Sequence, residues 1–250
     1  MDPDKHMVVA VDHAQKSFGD HKVLEDITMH VCHNEIVSVL GISGSGKTTL
    51  FNLISGVSEA DGGKVTSDSK IGYMMQKDLL MPWKTVEENI ALPLILKGIP
   101  KKDAYRKVGG YLDNFGLKGT QKQYPDSLSG GMRQRAALLR TYMISGEVLL
   151  LDEPFSSVDA MTRHRLHRWL LSIFKKMELT ILIITHDVEE ALLLSDRIYL
   201  LAETPSRIVD EIVLTPKGLT NGECPCITEK DAARNKIFEI LEKEIDRAEI

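Results

Sequence analysis

Apolar positions fall into short β-type runs at the start of the chain, a long helical middle, and isolated apolar strands between and after them. The runs VVAVDHAQKSF and KVLEDITMHV alternate imperfectly, with Val23, Leu24, Ile27 and Met29 expected to point inward. They predict an antiparallel N-terminal sheet. Residues 35–40 (EIVSVL) read as a buried strand that runs straight into GISGSGKTT and then a helical LFNLISG, giving strand, glycine loop and helix. From about 85 to 143 the apolar spacing is mostly helical, with breaks expected at Pro93, Pro100, Gly116 and Pro125. Residues 148–151 and 180–184 (TILII) have the continuous apolar character of central parallel strands buried on both faces, and RIYLLAE and RIVDEIVL extend or edge that sheet. In the tail, Thr228 and Asp231 stand as in a capping box. Ile237, Ile240, Leu241 and Ile245 then follow at helical spacing, predicting an amphipathic helix that packs on its own domain in preference to a partner.

These elements describe one α/β domain over residues 1–250. Its core and β subdomain occupy about 1–84 and 144–227, its helical lobe about 85–143, and its C-terminal helix about 228–250. A chain of 250 residues suffices to bury a large core, and 43% apolar with 27% charged residues excludes a disordered or collagen-like protein. The net charge of −5 argues against a binder of phosphate backbones, so no nucleic-acid partner is expected. MDPDKHMVVAVDHA lacks the basic-then-apolar pattern of a signal peptide, and no apolar run approaches the ~18 residues of a membrane span. Any membrane role then comes through a partner. Cys32, Cys224 and Cys226 form no disulfide framework, which suits a reducing cytoplasm. Cys224-Pro225-Cys226 has the look of a metal or redox pair, but no second ligand pair follows at zinc spacing, and two incidental thiols is the better reading.

The chemistry-bearing residues sit at the ends of the apolar strands. Gly41-Ile42-Ser43-Gly44-Ser45-Gly46-Lys47-Thr48 fits the phosphate-binding pattern G-x-x-x-x-G-K-[ST], with Thr49 next in line. Its glycines let backbone N–H groups turn inward around phosphate oxygens, Lys47 adds a cation, and the Thr48 hydroxyl suits Mg²⁺. A bare glycine turn is the alternative, but the loop falls between a predicted strand and helix, where phosphate binding requires it. Asp152 and Glu153 end an apolar strand at the sheet's carboxyl edge, where ligands bind in parallel α/β folds. Neighbours on a strand point different ways, so Asp152 suits an Mg²⁺ shell and Glu153 the polarisation of an attacking water. Charged strand ends are common, and only the loop upstream gives the pair weight. Ser129, Gly130 and Gly131 open a helix with free N–H groups, a hydroxyl and a positive dipole end for an anion, though by themselves they also read as a plain loop.

The order and spacing of the phosphate loop, LSGGM, LLLDEP and THD resemble those of the ABC transporter ATPase family over nearly the whole chain. The resemblance implies a P-loop NTPase (RecA-like) parallel-sheet core with an N-terminal antiparallel β subdomain and an inserted helical subdomain. It matches Gln76 to the Q-loop at Mg²⁺ and the catalytic water, Asp159 in SSVDA to the D-loop, His186 to the switch histidine at the γ-phosphate, and Phe18 to the aromatic that stacks on adenine, with Val23 nearby. A strand-core role for Phe18 stays open. Met132 stands where many members carry Gln, at the fringe of the signature. The resemblance further implies ATP and Mg²⁺, a head-to-tail homodimer with nucleotide between one copy's phosphate loop and the other's signature, and integral membrane permease subunits served by a solute-binding protein. It places the chain on the cytoplasmic face of the membrane.

With one phosphate loop and no membrane segment, the chain resembles an importer ATPase. LLMPWKTVEENIALPLILKG with LSGGMRQRAALLR is similar to importers of nitrate, sulfonates, taurine and pyrimidine-type precursors. In that family a permease helix docks near Gln76 and Trp83, while Trp83 reads equally well as a core anchor. A non-transport or cell-envelope ABC ATPase that uses ATP as a conformational switch is the alternative, and retention of Glu153 and His186 favours hydrolysis.

Overall fold

A computed structural model of the chain describes residues 6–214 and 227–248. In chain order the elements are β1 (Met7–Phe18), β2 (His21–Cys32), β3 (Ile36–Leu40), α1 (Lys47–Ile54), β4 (Gly62–Ser67), β5 (Ile71–Met74), α2 (Val86–Leu96) and α3 (Lys101–Leu112). They continue with α4 (Gly130–Ser145), β6 (Val148–Asp152), α5 (Ala160–Met177), β7 (Thr180–Thr185), α6 (Val188–Leu194), β8 (Arg197–Ala202), β9 (Arg207–Val213) and α7 (Ile227–Ala248). The chain divides into two compact units, Met1–Asp68 with Thr180–Ile250, and Ser69–Leu179.

In the first unit β1 pairs antiparallel with both β2 and β4, the sheet expected from the opening runs. The imperfect alternation has a physical cause. Leu24, Ile27, Met29 and Val31 are buried, and the odd step from 24 to 27 is absorbed at Asp26, whose φ of 56° marks a bulge. On β1 the step from Val11 to Ala14 is absorbed in the same way at His13, φ 49°, and Asp26 Oδ1 lies 2.5 Å from His13 Nδ1. Val23 is half-buried rather than inward like its neighbours. β3 lies between β7 and β8, parallel to both, with β9 antiparallel along β8. Every residue of β3 and β7 is buried, which is why their sequences are apolar runs and not alternations.

The amphipathic stripe of α7 closes this core. Ala233 and Ile237 are buried against Val188, Ala191 and Leu192 of α6 and Leu40, Ile198 and Leu200 of the sheet, with Ile240 and Leu241 packed alongside. Cys224 and Cys226, and the side chains of Thr228 and Ile245, lie outside the described residues.

The second unit holds the parallel pair β5 and β6 with helices α2 to α5. Thr85 and Glu88 cap α2 reciprocally, a box that fixes where the helix starts. Pro100 caps α3 and Pro125 opens a 3₁₀ turn, both as breaks. Pro93 is different: it lies inside α2 and does not end it. Burial of Val86, Ile90, Ala91 and Leu94 holds the helix together across the missing N–H, and the Pro93 carbonyl still accepts from Lys97 N. Among the described residues no helix is long and apolar enough to cross a membrane.

Candidate active site

Within the first unit the glycine loop leaves β3 and enters α1. A Cβ at Gly41 would lie 2.4 Å from the Leu201 carbonyl oxygen and 2.7 Å from Ser45 Oγ, so only glycine fits where the loop begins. Gly46 has φ 74° and caps α1 without a side chain, and a Cβ there would meet Leu24 Cδ2 at 2.9 Å and Val23 Cγ1 at 3.1 Å. Val23 and Leu24 thus back the loop. Lys47 is 6% exposed and folds over the loop, its Nζ donating to Gly41 O at 2.9 Å and Ile42 O at 2.6 Å. Ser43, Gly44 and Thr48 are exposed, Ser45 is buried and Thr49 half-buried. Acceptors at the loop's waist hold the cation in place, and its rim stays open to a ligand.

Phe18 ends β1 at 55% exposure, with Lys16 Nζ 5.7 Å from its ring centroid, so it is not a strand-core residue. His186 follows β7 and is exposed. Asp187, next along, fixes the start of α6 by accepting from Glu189 N at 2.9 Å and Glu190 N at 3.1 Å.

Within the second unit the acidic pair sits at the end of β6. Asp152 is buried, and the Tyr73 hydroxyl donates to its Oδ2 at 3.3 Å. Burial, and after it the charge of Asp152, push the Tyr73 phenol well above its ordinary range. Glu153 turns off the strand with φ 44°, and Gln76 Nε2 donates to its Oε2 at 3.0 Å. Asp152 thus bonds Tyr73 and Glu153 bonds Gln76, and Glu153 leaves the strand through its left-handed backbone and not by strand alternation.

Ser129 caps α4, accepting from Met132 N at 3.3 Å. Gly131 is buried, with Thr162 Cγ2 3.0 Å from where a Cβ would stand, while Gly130 lines a cavity of about 480 Å³ with Gln76, Gln134, Ser156 and Ser157. Asp159 caps α5, and Thr162, through its hydroxyl and its N–H, holds that carboxyl below the usual range. Trp83 is 72% exposed, which rules out a core anchor. Tyr73, Gln134 and Ser157 join this region without any signal in sequence spacing that singles them out.

A buried lysine turned back onto the carbonyls of its own glycine loop, at the start of a helix that follows a buried parallel strand, marks the class of phosphate-loop nucleotide-binding proteins. The chain belongs to the ABC transporter family, which it matches over residues 24–156, and is an ATPase subunit of that family. It is 48% identical to the formylaminopyrimidine import ATP-binding protein ThiZ of Halalkalibacterium halodurans, over 78% of this chain and 79% of that protein. It is 38% identical to the nitrate import ATP-binding protein NrtD of Synechocystis, over 80% of this chain and 78% of that one. Among solved structures it is similar to an ATP-binding cassette in a dimeric, post-hydrolysis state bound to ADP and Pi. There the TM-score is 0.70 with 25% identity, covering 83% of this chain and 99% of that one. The importer subgroup suggested by LLMPWKTVEENIALPLILKG agrees with these relatives.

Proposed function

We propose that two copies of this chain, set head to tail on the cytoplasmic face of a membrane, hydrolyse ATP to drive uptake of a small solute through permease subunits served by a solute-binding protein. Each copy is one ABC ATPase domain, with core over about 1–84 and 144–227, helical lobe over 85–143 and C-terminal helix over 228–250. Phe18 and Val23 take the adenine. Residues 41–49 take the phosphates, the N–H groups at the start of α1 and the Lys47 ammonium supplying positive charge. Ser129, Gly130, Gly131 and Asp159 serve the nucleotide held by the other copy.

Thr48, Gln76 and Asp152 present a hydroxyl, an amide oxygen and a carboxylate, the hard oxygen donors that suit Mg²⁺, and these residues would hold it. When bound, the ion offsets charge on the phosphates. Glu153 draws a proton from the attacking water, and His186 contacts the γ-phosphate. The observation that carries hydrolysis, over ATP as a mere conformational signal, is the 3.0 Å bond from Gln76 to Glu153, which supports a carboxylate aimed and held for a water. Exposed Met75, Leu79 and Trp83, in the segment of chain around and after Gln76, support docking of a permease's cytoplasmic helix.

Nucleotide affinity and phosphate release, measured on wild type and Lys47→Ala, test this reading. The substitution removes the cation from an otherwise intact cradle, and turnover is expected to fall roughly a hundredfold or more, with weaker ATP binding. Unchanged turnover would contradict it.

A further inference from the structure

Gln134 lies in the second turn of α4, five residues after Ser129, and is only 4% exposed. Its Nε2 donates to Ser157 Oγ at 3.1 Å, while its Oε1 meets no donor among the described residues. Burying an amide with half its hydrogen-bonding capacity unmet is unfavourable where an apolar side chain would fill the same volume. The half that is met is the bond to Ser157.

That half reaches the turn after β6 that carries Glu153. The turn is tied from within by Ser156, which donates to Glu153 O from its N–H at 3.2 Å and its hydroxyl at 3.0 Å, and is tied to α5 by Arg163 Nε, which donates to Phe155 O at 3.2 Å. Gln134 adds a tie from a different helix, the one whose N-terminus bears Ser129. Ser157 is exposed and could be solvated without it, so the bond is not needed to satisfy that hydroxyl. The bond spans the wall of the 480 Å³ cavity that Gln76, Gly130 and Ser156 also line.

We infer that Gln134 is a positioning residue, which through Ser157 fixes the Glu153 turn against the N-terminal end of α4 so that the signature serine and the base shift together. This rests on the role given to Glu153 above. A merely structural Gln134 would change stability and leave the kinetics alone. A positioning one changes kcat and leaves ATP binding alone, because it touches neither nucleotide nor phosphate loop.

Full-length Ser157→Ala, Ser157→Thr, Gln134→Met and the Ser157→Ala/Gln134→Met pair separate these roles through kcat, KM for ATP and thermal midpoint. We expect kcat to fall about tenfold in Ser157→Ala and in Gln134→Met, less than the roughly hundredfold cost of a 1 Å misplacement, with KM within about twofold. The pair should be no slower than the slower single variant, and Ser157→Thr, which keeps the hydroxyl, should retain most activity. Because Ser157 is exposed, its variants stay informative even if Gln134→Met folds poorly. Wild-type kcat in Ser157→Ala, or a loss in the pair equal to the product of the single losses, would overturn the inference while leaving the ATPase reading intact. A wild-type chain that releases no phosphate from ATP would overturn both.

Discussion

Gly41 shows how tightly single residues are specified around the loop. The atom that a Cβ would strike at 2.4 Å is a backbone carbonyl of β8, which cannot rotate away. Gly41→Ala is therefore expected to lower stability by about 1–3 kcal/mol through overpacking and to weaken nucleotide binding, because relief of the clash displaces the carbonyl that holds Lys47. Denaturant midpoints and a nucleotide titration would check it, and an unchanged value in both would contradict the close approach. The loop was legible in sequence because its spacing encodes a backbone shape, with each glycine and Lys47 doing a local task. Tyr73 on Asp152 and Gln134 on Ser157 were not legible. They join residues 79 and 23 positions apart, and nothing periodic in the sequence marks such a contact.

Strands and helices were read where one face or both faces are apolar throughout. β3, β6 and β7 are buried along their whole length, and α7 carries its stripe at Ala233, Ile237, Ile240 and Leu241, so apolar pattern and structure coincide. The pattern blurs in β1 and β2 because bulges at His13 and Asp26 shift the period by one residue, and short β4, with exposed positions along it, gave no pattern to read. Pro93 misled in the other direction, since tertiary packing outweighs its local penalty. The α7 stripe packs against α6, whose start follows His186 directly. Ile237 is fully buried there, and Ile237→Ala is expected to cost about 2–5 kcal/mol by leaving a cavity. Chemical denaturation monitored by circular dichroism would measure this, and a loss below about 0.5 kcal/mol, the range of surface substitutions, would show that the helix does not close the core.

For the whole molecule the central claim is that one chain holds half of each working site and that ATP joins two chains. Ligand that binds the joined state in preference to the separate one shifts the equilibrium toward it, and with Glu153 in the role proposed for it, loss of its carboxylate would block the return. Glu153→Gln keeps the side-chain size and an oxygen that can still accept from Gln76, but its amide cannot act as a base. Light scattering of this variant at high protein concentration, with ATP, with ADP and without nucleotide, tests the claim most directly. The expected result is a particle of twice the chain mass with ATP only, because ADP lacks the phosphate that would reach Ser129 of the other copy. A monomer with ATP at every concentration would contradict the account.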